Sequence, residues 1–276
     1  MKVIFWGVRG SVPTPRKNVL RYGGNTTCYQ VLAGGRNFVV DSGTGIIELG
    51  RAIESLKGTI TLLFSHLHHD HTQGFPFFRP AFSPAVNLDI YAGNFFKKRV
   101  QEVLTDTMAD PYFPVPLNKI GSKICFNDLS MPNYGDTVCG LFDGTVDAMR
   151  LVHPTEGVIV YSFREGNRKI VIATDCEHYD GRNDQLAPFI EGADIFIHDT
   201  MYTDAEYSNP RAPRRGWGHA TIESAIELSQ KARVKQLVCT HHEPTHSDDF
   251  LDELFDHARK SFPDTIGAYE GLQIEV

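Results

Sequence analysis

Short apolar runs recur along the chain, and each breaks off into a polar, glycine-rich or histidine-rich loop. Lys2 to Gly7 predicts a first strand, and Cys28–Leu32 with Asn37–Val40 predicts a hairpin closed by Gly34-Gly35. A helix is predicted from Ile46 to Leu56. Thr61-Leu62-Leu63-Phe64 predicts a buried strand, followed by a strand at Leu88–Tyr91 and a helix from Phe95 to Leu104. In the second half Thr145–Val152 alternates, and Val158–Phe163 with Lys169–Ala173 predicts a second hairpin. Strands at Asp194–Ile197 and Gln236–Cys239 alternate with helices at Ile222–Ala232 and Asp248–Phe262, and a short strand closes the chain. Two β-rich halves, each followed by helices, predict an α/β fold of the αββα sandwich type, with its chemistry along one rim. No low-complexity linker divides the sequence, so one domain spanning residues 1–276 is expected.

The polar residues at the ends of these runs carry the candidate chemistry. They include His66, His153, Asp175, His198 and His241, and solvated histidines have no reason to prefer strand ends. The densest stretch is Ser65-His66-Leu67-His68-His69-Asp70-His71-Thr72-Gln73-Gly74, directly after a buried strand. Its spacing is H-x-H-x-D-H. His66 and His68 are two apart and can share one ion, while Asp70 and His71 turn the corner toward a second. Imidazole nitrogens with a carboxylate suit Zn, Mn or Fe, whereas Ca would want more carboxylates. Two ions roughly 3.5–4 Å apart form the clamp used to hydrolyse phosphorus esters.

Composition narrows the picture. Net charge is -7, and the nearest thing to a basic stripe is Arg211-Ala212-Pro213-Arg214-Arg215, which by default is a solvated loop. Long nucleic acids are therefore disfavoured as partners, and a small phosphate ester is not. Five cysteines without a C-x-x-C pair suggest a reduced, cytoplasmic protein. No segment reaches the length of a membrane span, and the apolar N-terminal run is too short for a signal peptide, so no membrane partner is expected.

H-x-H-x-D-H after an apolar strand resembles the metallo-β-lactamase superfamily. The loops Gly7-Val8-Arg9-Gly10-Ser11 and Gly24-Asn25-Thr26-Thr27, with the turn Asp41-Ser42-Gly43-Thr44-Gly45, make the chain most similar to its phosphodiesterase branch. That branch includes tRNase Z and the cyclic-phosphate and cyclic-nucleotide phosphodiesterases. The resemblance implies two divalent metal ions, Zn first, with Mn or Fe as alternatives. His66, His68 and His153 would bind the first, Asp70, His71 and His241 the second, and Asp175 would bridge them. His241 rather than the adjacent His242 is chosen from the T-H-x-x-P pattern, while Cys176 falls one residue past the bridging position and would point away. Asp199 and His219 resemble the acid–histidine pair that assists the leaving group in tRNase Z. The plain alternative is that His219 caps the next helix. Asp41 either caps a helix or bonds a ligand histidine. The long glycine-rich arm that grips tRNA in tRNase Z has no counterpart here, which adds to the case against tRNA.

The implied activity is metal-assisted hydrolysis of a small cyclic or linear phosphodiester, with Asp70 also orienting the water and His219, held by Asp199, acting on the transition state. A thioester or lactone hydrolase of the same fold and a non-catalytic nucleotide sensor are the alternatives. A homodimer is compatible with the sequence. Rings in Phe75–Pro80 and Asp110–Val115 either pack or wall a pocket where a flat group stacks. His69, His178, His246 and His257 are expected at the surface or behind the ligands.

Overall fold

The strands that end in chemistry are apolar on both faces. In Arg168–Ala173, Ile170 and Ile172 point to one core while Val171 and Ala173 point to another. Such a strand needs a covering layer on each side, which is the reason for a four-layer sandwich. The structure is a computed structural model and describes residues 1–179 and 181–276.

The first half supplies β1 (Lys2–Gly7), β2 (Cys28–Ala33), β3 (Arg36–Val40), β4 (Gly58–Leu63), β5 (Val86–Gly93) and β6 (Lys123–Leu129). The second supplies β7 (Thr137–Gly140), β8 (Val146–Leu151), β9 (Val158–Glu165), β10 (Arg168–Ala173), β11 (Ile195–Asp199), β12 (Gln236–Thr240), β13 (Thr265–Gly267) and β14 (Gln273–Glu275). They form two seven-stranded sheets, ordered β14-β1-β2-β3-β4-β5-β6 and β13-β12-β11-β10-β9-β8-β7. Val3, Phe5, Tyr29 and Phe38 of the first sheet meet Ala148, Tyr161, Phe163 and Ile172 of the second in the central core. Helices Ile46–Ala52 and Val100–Thr107 cover the outer face of the first sheet, and helices Ile222–Lys231 and Asp248–Ser261 that of the second. The αββα expectation is met.

Two hydroxyls cross between the layers. Tyr29 Oη lies 2.8 Å from Thr240 Oγ1, and Tyr161 donates to the Phe64 carbonyl at 2.8 Å. Both lie beside strand ends that lead into the candidate site.

Strand direction explains the single rim. β3 to β6 run parallel, as do β10 to β13, and β8 shares the β10 direction because β9 is antiparallel to both. The carboxyl ends of β3, β4, β8, β10, β11 and β12 therefore open on one edge, where open α/β sheets collect their ligands.

Some elements differ from expectation. The helix expected over Phe95–Leu104 spans Val100–Thr107. Its start is fixed by Glu102, whose carboxylate accepts the Arg99 amide at 2.7 Å in a capping arrangement. The helix expected from Ile46 to Leu56 ends at Ala52. β6 and β7 were not expected: both are edge strands, half-exposed and interrupted by polar residues, so no apolar run marks them. The closing strand is really two, β13 beside β12 and β14 beside β1. No helix among the described residues is long and apolar enough to cross a membrane.

Candidate metal centre

Each candidate ligand follows a strand on the common rim. β4 leads into His66 and His68, and the short helix His69–Thr72 carries Asp70 and His71. His153 follows β8, Asp175 follows β10 and His241 follows β12. Three strand ends on this rim turn through a left-handed backbone: Asp41 (φ 62°), Asp175 (φ 56°) and His241 (φ 61°). This conformation is uncommon for residues other than glycine, and Asp and His are among those that tolerate it. The turn swings each side chain out of the strand's alternation and into the site.

The seven side chains named from the resemblance lie together. Donor atoms of His66, His68 and His153 lie within 4.8 Å of one another, and so do those of Asp70, His71 and His241. Asp175 joins His66 and His71 in one such group and His241 in another, so it touches both triads. Asp70 Oδ2 is 3.3 Å from His71 Nε2 and 3.4 Å from His241 Nε2. Asp175 is 3.3 Å from His71 Nε2 and 3.4 Å from His241 Nε2. His153 Nε2 is 3.3 Å from His68 Nδ1. These separations are long for charge-assisted hydrogen bonds. They match the edge of a tetrahedron around an ion with bonds of about 2.0–2.1 Å, which comes to roughly 3.4 Å. Nε2 of His66, His71 and His241 is buried without a hydrogen-bond partner. Orphaned buried nitrogens cost stability unless something binds them, so the residues present fit a pair of divalent ions.

Neighbouring groups orient these rings. The Asp41 carboxylate accepts from Ser65 N and Ser65 Oγ, both at 2.7 Å, and lies 2.8 Å from His71 Nδ1. Of the two roles open to Asp41, the structure selects the bond to a candidate ligand histidine; Gly45 occupies the cap position of the following helix. Ser65 Oγ also lies 3.1 Å from His66 Nδ1, and His153 Nδ1 is 3.2 Å from the Gly218 carbonyl. Such contacts leave Nε2 facing the centre. The Ser11 amide donates to Asp70 Oδ2 at 2.8 Å.

Charge states follow. Burial first, then neighbouring imidazoles, push His66 and His68 below the ordinary histidine range, and His153 down to about 3. These rings stay neutral, as metal ligands must. Burial works against ionised Asp70 and Asp175, but the surrounding histidines outweigh it and hold both carboxyls low. Burial also disfavours charge on His71, but Asp70, Asp175 and Asp41 outweigh it and raise that ring.

His219 stands beside the centre. Its Nδ1 is 2.7 Å from Asp199 Oδ2 and 3.8 Å from Asp175 Oδ1. Burial lowers its proton affinity, yet Asp199 chiefly, and then Asp175 and Asp70, lift it to about 9, so the ring is a cation at neutral pH. The capping alternative fails: Thr221 caps the following helix, accepting from the Ser224 amide at 3.1 Å. The loop bearing His219 is tied down by Glu177, a residue with no role assigned in the sequence analysis. Its carboxylate accepts from Gly216 N (2.6 Å), Gly218 N (3.0 Å) and Tyr207 Oη (2.6 Å). The signal was its place two residues after Asp175, but no spacing rule identifies such a tie.

The remaining residues sort by burial. His241 faces the centre, while His242 Nε2 lies 2.8 Å from the Ala268 carbonyl. Cys176 is buried toward the outer helices, away from the site. His198 is buried with its Nε2 2.9 Å from His178, and His246 bonds Glu206 at 2.7 Å. His69 and His257 are exposed. A cavity of about 300 Å³ is lined by His66 and His68 together with Lys97, Lys98 and Thr155. A second, of about 370 Å³, runs from His69 and Gln73 along Phe77, Tyr112 and Phe113, so some of the aromatic–proline rings do wall a groove beside the metal loop.

Comparison with known proteins places this geometry in a family. A ribonuclease Z from Gemmatimonas aurantiaca is 35% identical over 121 residues, 44% of this chain and 36% of that protein. The chain thus spans about a third of that relative's length. A ribonuclease Z from Bacillus licheniformis is 22% identical over all of this chain and 99% of its own length. The crystal structure of the short form of human tRNase Z superimposes with a TM-score of 0.69 at 20% identity, covering 100% of this chain and 99% of that one. These relatives overturn the expectation that long nucleic acids are disfavoured, since they are named for RNA and tRNA. Net charge misled because it sums the whole surface, whereas a polyanion meets a local patch. In the fold Arg182 stands with Arg215 over the Tyr179 ring, so the basic group is larger than the sequence run 211–215. A family model described as the beta-lactamase superfamily domain matches residues 36–242, and the chain belongs to that superfamily.

Proposed function

We propose that the protein is a metal-dependent phosphodiester hydrolase working with two divalent ions, Zn in first place. The observation that carries this reading is the pair of interlocked triads sharing Asp175, with buried unpartnered nitrogens aimed at one another. His66, His68 and His153 would hold one ion, Asp70, His71 and His241 the other, and Asp175 both. When bound, such ions lower the pKa of water toward about 7 and neutralise charge on a phosphoryl group. Asp70, while holding the second ion, would orient the attacking water or accept its proton. His219, charged and steered by Asp199, donates a hydrogen bond to a phosphoryl oxygen or a proton to the leaving oxygen. A third cationic partner of this kind suits phosphorus better than a thioester or lactone.

The substrate is a ribonucleotide phosphodiester. The ribonuclease Z relatives support one within an RNA chain, and a cavity of about 300 Å³ at His66 and His68 supports a small cyclic or linear diester as the alternative. Turnover of bis-p-nitrophenyl phosphate with Zn or Mn, beside a thioester and a lactone, tests the reaction class. Absence of all turnover with two ions bound would leave the sensor reading. Elemental analysis should find close to two ions per chain, and Asp175→Ala should lose both. A variant that keeps one ion fully would show that Asp175 does not bridge.

A further inference from the structure

The stretch Arg211–Arg215 has no part in the reaction described above, yet the fold gives it company. The Arg215 guanidinium lies 4.4 Å from the centroid of the Tyr179 ring, and Arg182 lies 4.5 Å from the same ring. Arg214 sits 4.4 Å from the Trp217 ring and 5.8 Å from the Tyr202 ring. Tyr202 in turn meets the His219 ring edge-on, with centroids 6.0 Å apart. The strip therefore begins at a catalytic residue and leads away from it. Its place is fixed, because Glu177 ties the backbone at Gly216 and Gly218 to the segment that follows Asp175. Trp217 is 54% exposed although a ring of that size normally gains from burial.

We propose that Tyr179, Arg182, Arg214, Arg215 and Trp217 form a cation–aromatic strip that binds the single-stranded RNA segment adjoining the phosphodiester at the metal centre. The assignment rests on the phosphodiesterase reading for what lies at the centre, and on charge complementarity for what lies on the strip. The chain carries a net charge of -7, so arginines gathered on one patch mark a place where a polyanion meets an otherwise repelling surface. The Arg182 and Arg214 guanidiniums lie within 4.5 Å of ring centroids, and a guanidinium placed over a ring can still grip phosphate oxygens through its N–H groups. Stacking also restricts the side chain in advance, so less freedom is lost on binding. The exposed Trp217 face offers a base a surface independent of sequence. Several arginines and two rings exceed what one nucleotide can cover, which favours a chain over a mononucleotide.

The test is fluorescence anisotropy of a labelled single-stranded RNA dodecamer against the full-length, metal-loaded protein across a salt series, with a gel to confirm that the RNA stays intact. Affinity should fall with salt, and Arg182→Ala and Arg214→Gln should each weaken binding and flatten the log–log slope by about 0.7, the share of one phosphate contact on a single strand. Trp217→Ala should weaken binding roughly tenfold and leave the slope unchanged, since a stacked base carries no counterion. Arg168→Ala, at the start of β10 on the opposite rim, should bind as the unaltered protein does. Thermal melts identify any variant that misfolds, and the other two substitutions then still decide the matter. The proposal is overturned if the dodecamer does not bind or if the strip variants keep the original slope. It is equally overturned if Arg168→Ala weakens binding as much as they do, or if adenosine monophosphate competes as well as the dodecamer. Because the readout is affinity, failure here is separate from failure of the phosphodiesterase reading, which bis-p-nitrophenyl phosphate turnover reports.

Discussion

In the proposed mechanism His219 is the residue on which the chemistry turns. It bonds Asp199 at 2.7 Å and is raised to about 9, which suits the proposed task of presenting a proton beside the ions. His219→Ala should retain both ions and the fold while lowering kcat by roughly 10²–10⁴, with a smaller effect on KM. Asp199→Asn should do the same more mildly, and the double variant should be little worse than His219→Ala because Asp199 acts through the ring. Steady-state kinetics with metal analysis would decide; normal turnover by His219→Ala, or loss of metal, would remove it from the mechanism. At this scale the sequence was most legible. All seven proposed ligands lie together: H-x-H-x-D-H and the strand-end residues mark the sequence, and the family resemblance joins them into one set. Glu177, Ser65 and the Gly218 carbonyl were not legible, since each acts through a contact that exists only after distant segments have met.

Among elements, the loops are as constrained as the strands. Gly218 has φ +92°, and a Cβ there would stand 2.4 Å from His153 Nδ1. Its carbonyl also meets that nitrogen, so the loop that carries His219 steers a proposed ligand of the first ion. Gly218→Ala should therefore cost metal at the His66–His68–His153 group first, and activity with it. Titration of bound Zn with a competing chelator would show one weakened site and one intact; two unchanged sites would mean that the loop has no hold on His153. Most of the strands that were read from apolar runs fall within two residues of their bounds, while β4 begins three residues before the expected Thr61. The left-handed exits at Asp41, Asp175 and His241 were not, because an αL turn at Asp or His carries no sequence signature as glycine does. β6 and β7 escaped for the opposite reason: an edge strand with one wet face has little pattern to read.

The whole molecule titrates as an unusual histidine protein. Burial holds His66, His68, His153, His178, His198 and His242 below the ordinary 6.5, with His153, His198 and His242 at about 3. His71 and His219 go the other way despite burial, because carboxylates surround them. Below 6.5 the unfolded chain takes up protons that the folded chain refuses, so stability falls as pH drops toward 3. Above 6.5 the folded chain keeps protons that the unfolded chain releases, so stability falls again as pH rises toward 9. The chelated protein should thus have its highest Tm near pH 6.5, with the steeper fall on the acid side, where more groups act. A Tm that climbs steadily to pH 9 would contradict the raised His71 and His219.

The proposed ligands come from both layers: His66, His68, Asp70 and His71 from the first sheet, and His153, Asp175 and His241 from the second. An ion held by both works as a rivet as well as a reagent. Tyr29 and Tyr161 already lash the sheets together, and a bound ion present at a thousandfold over its Kd would add about 4 kcal/mol. Metal supply would then govern how long each molecule survives, not only how fast it works. Limited proteolysis should cut the chelated protein many times faster than the Zn-loaded one. Equal cleavage rates would show that the sheets stay closed without it, and that starvation for metal silences the protein while leaving it intact.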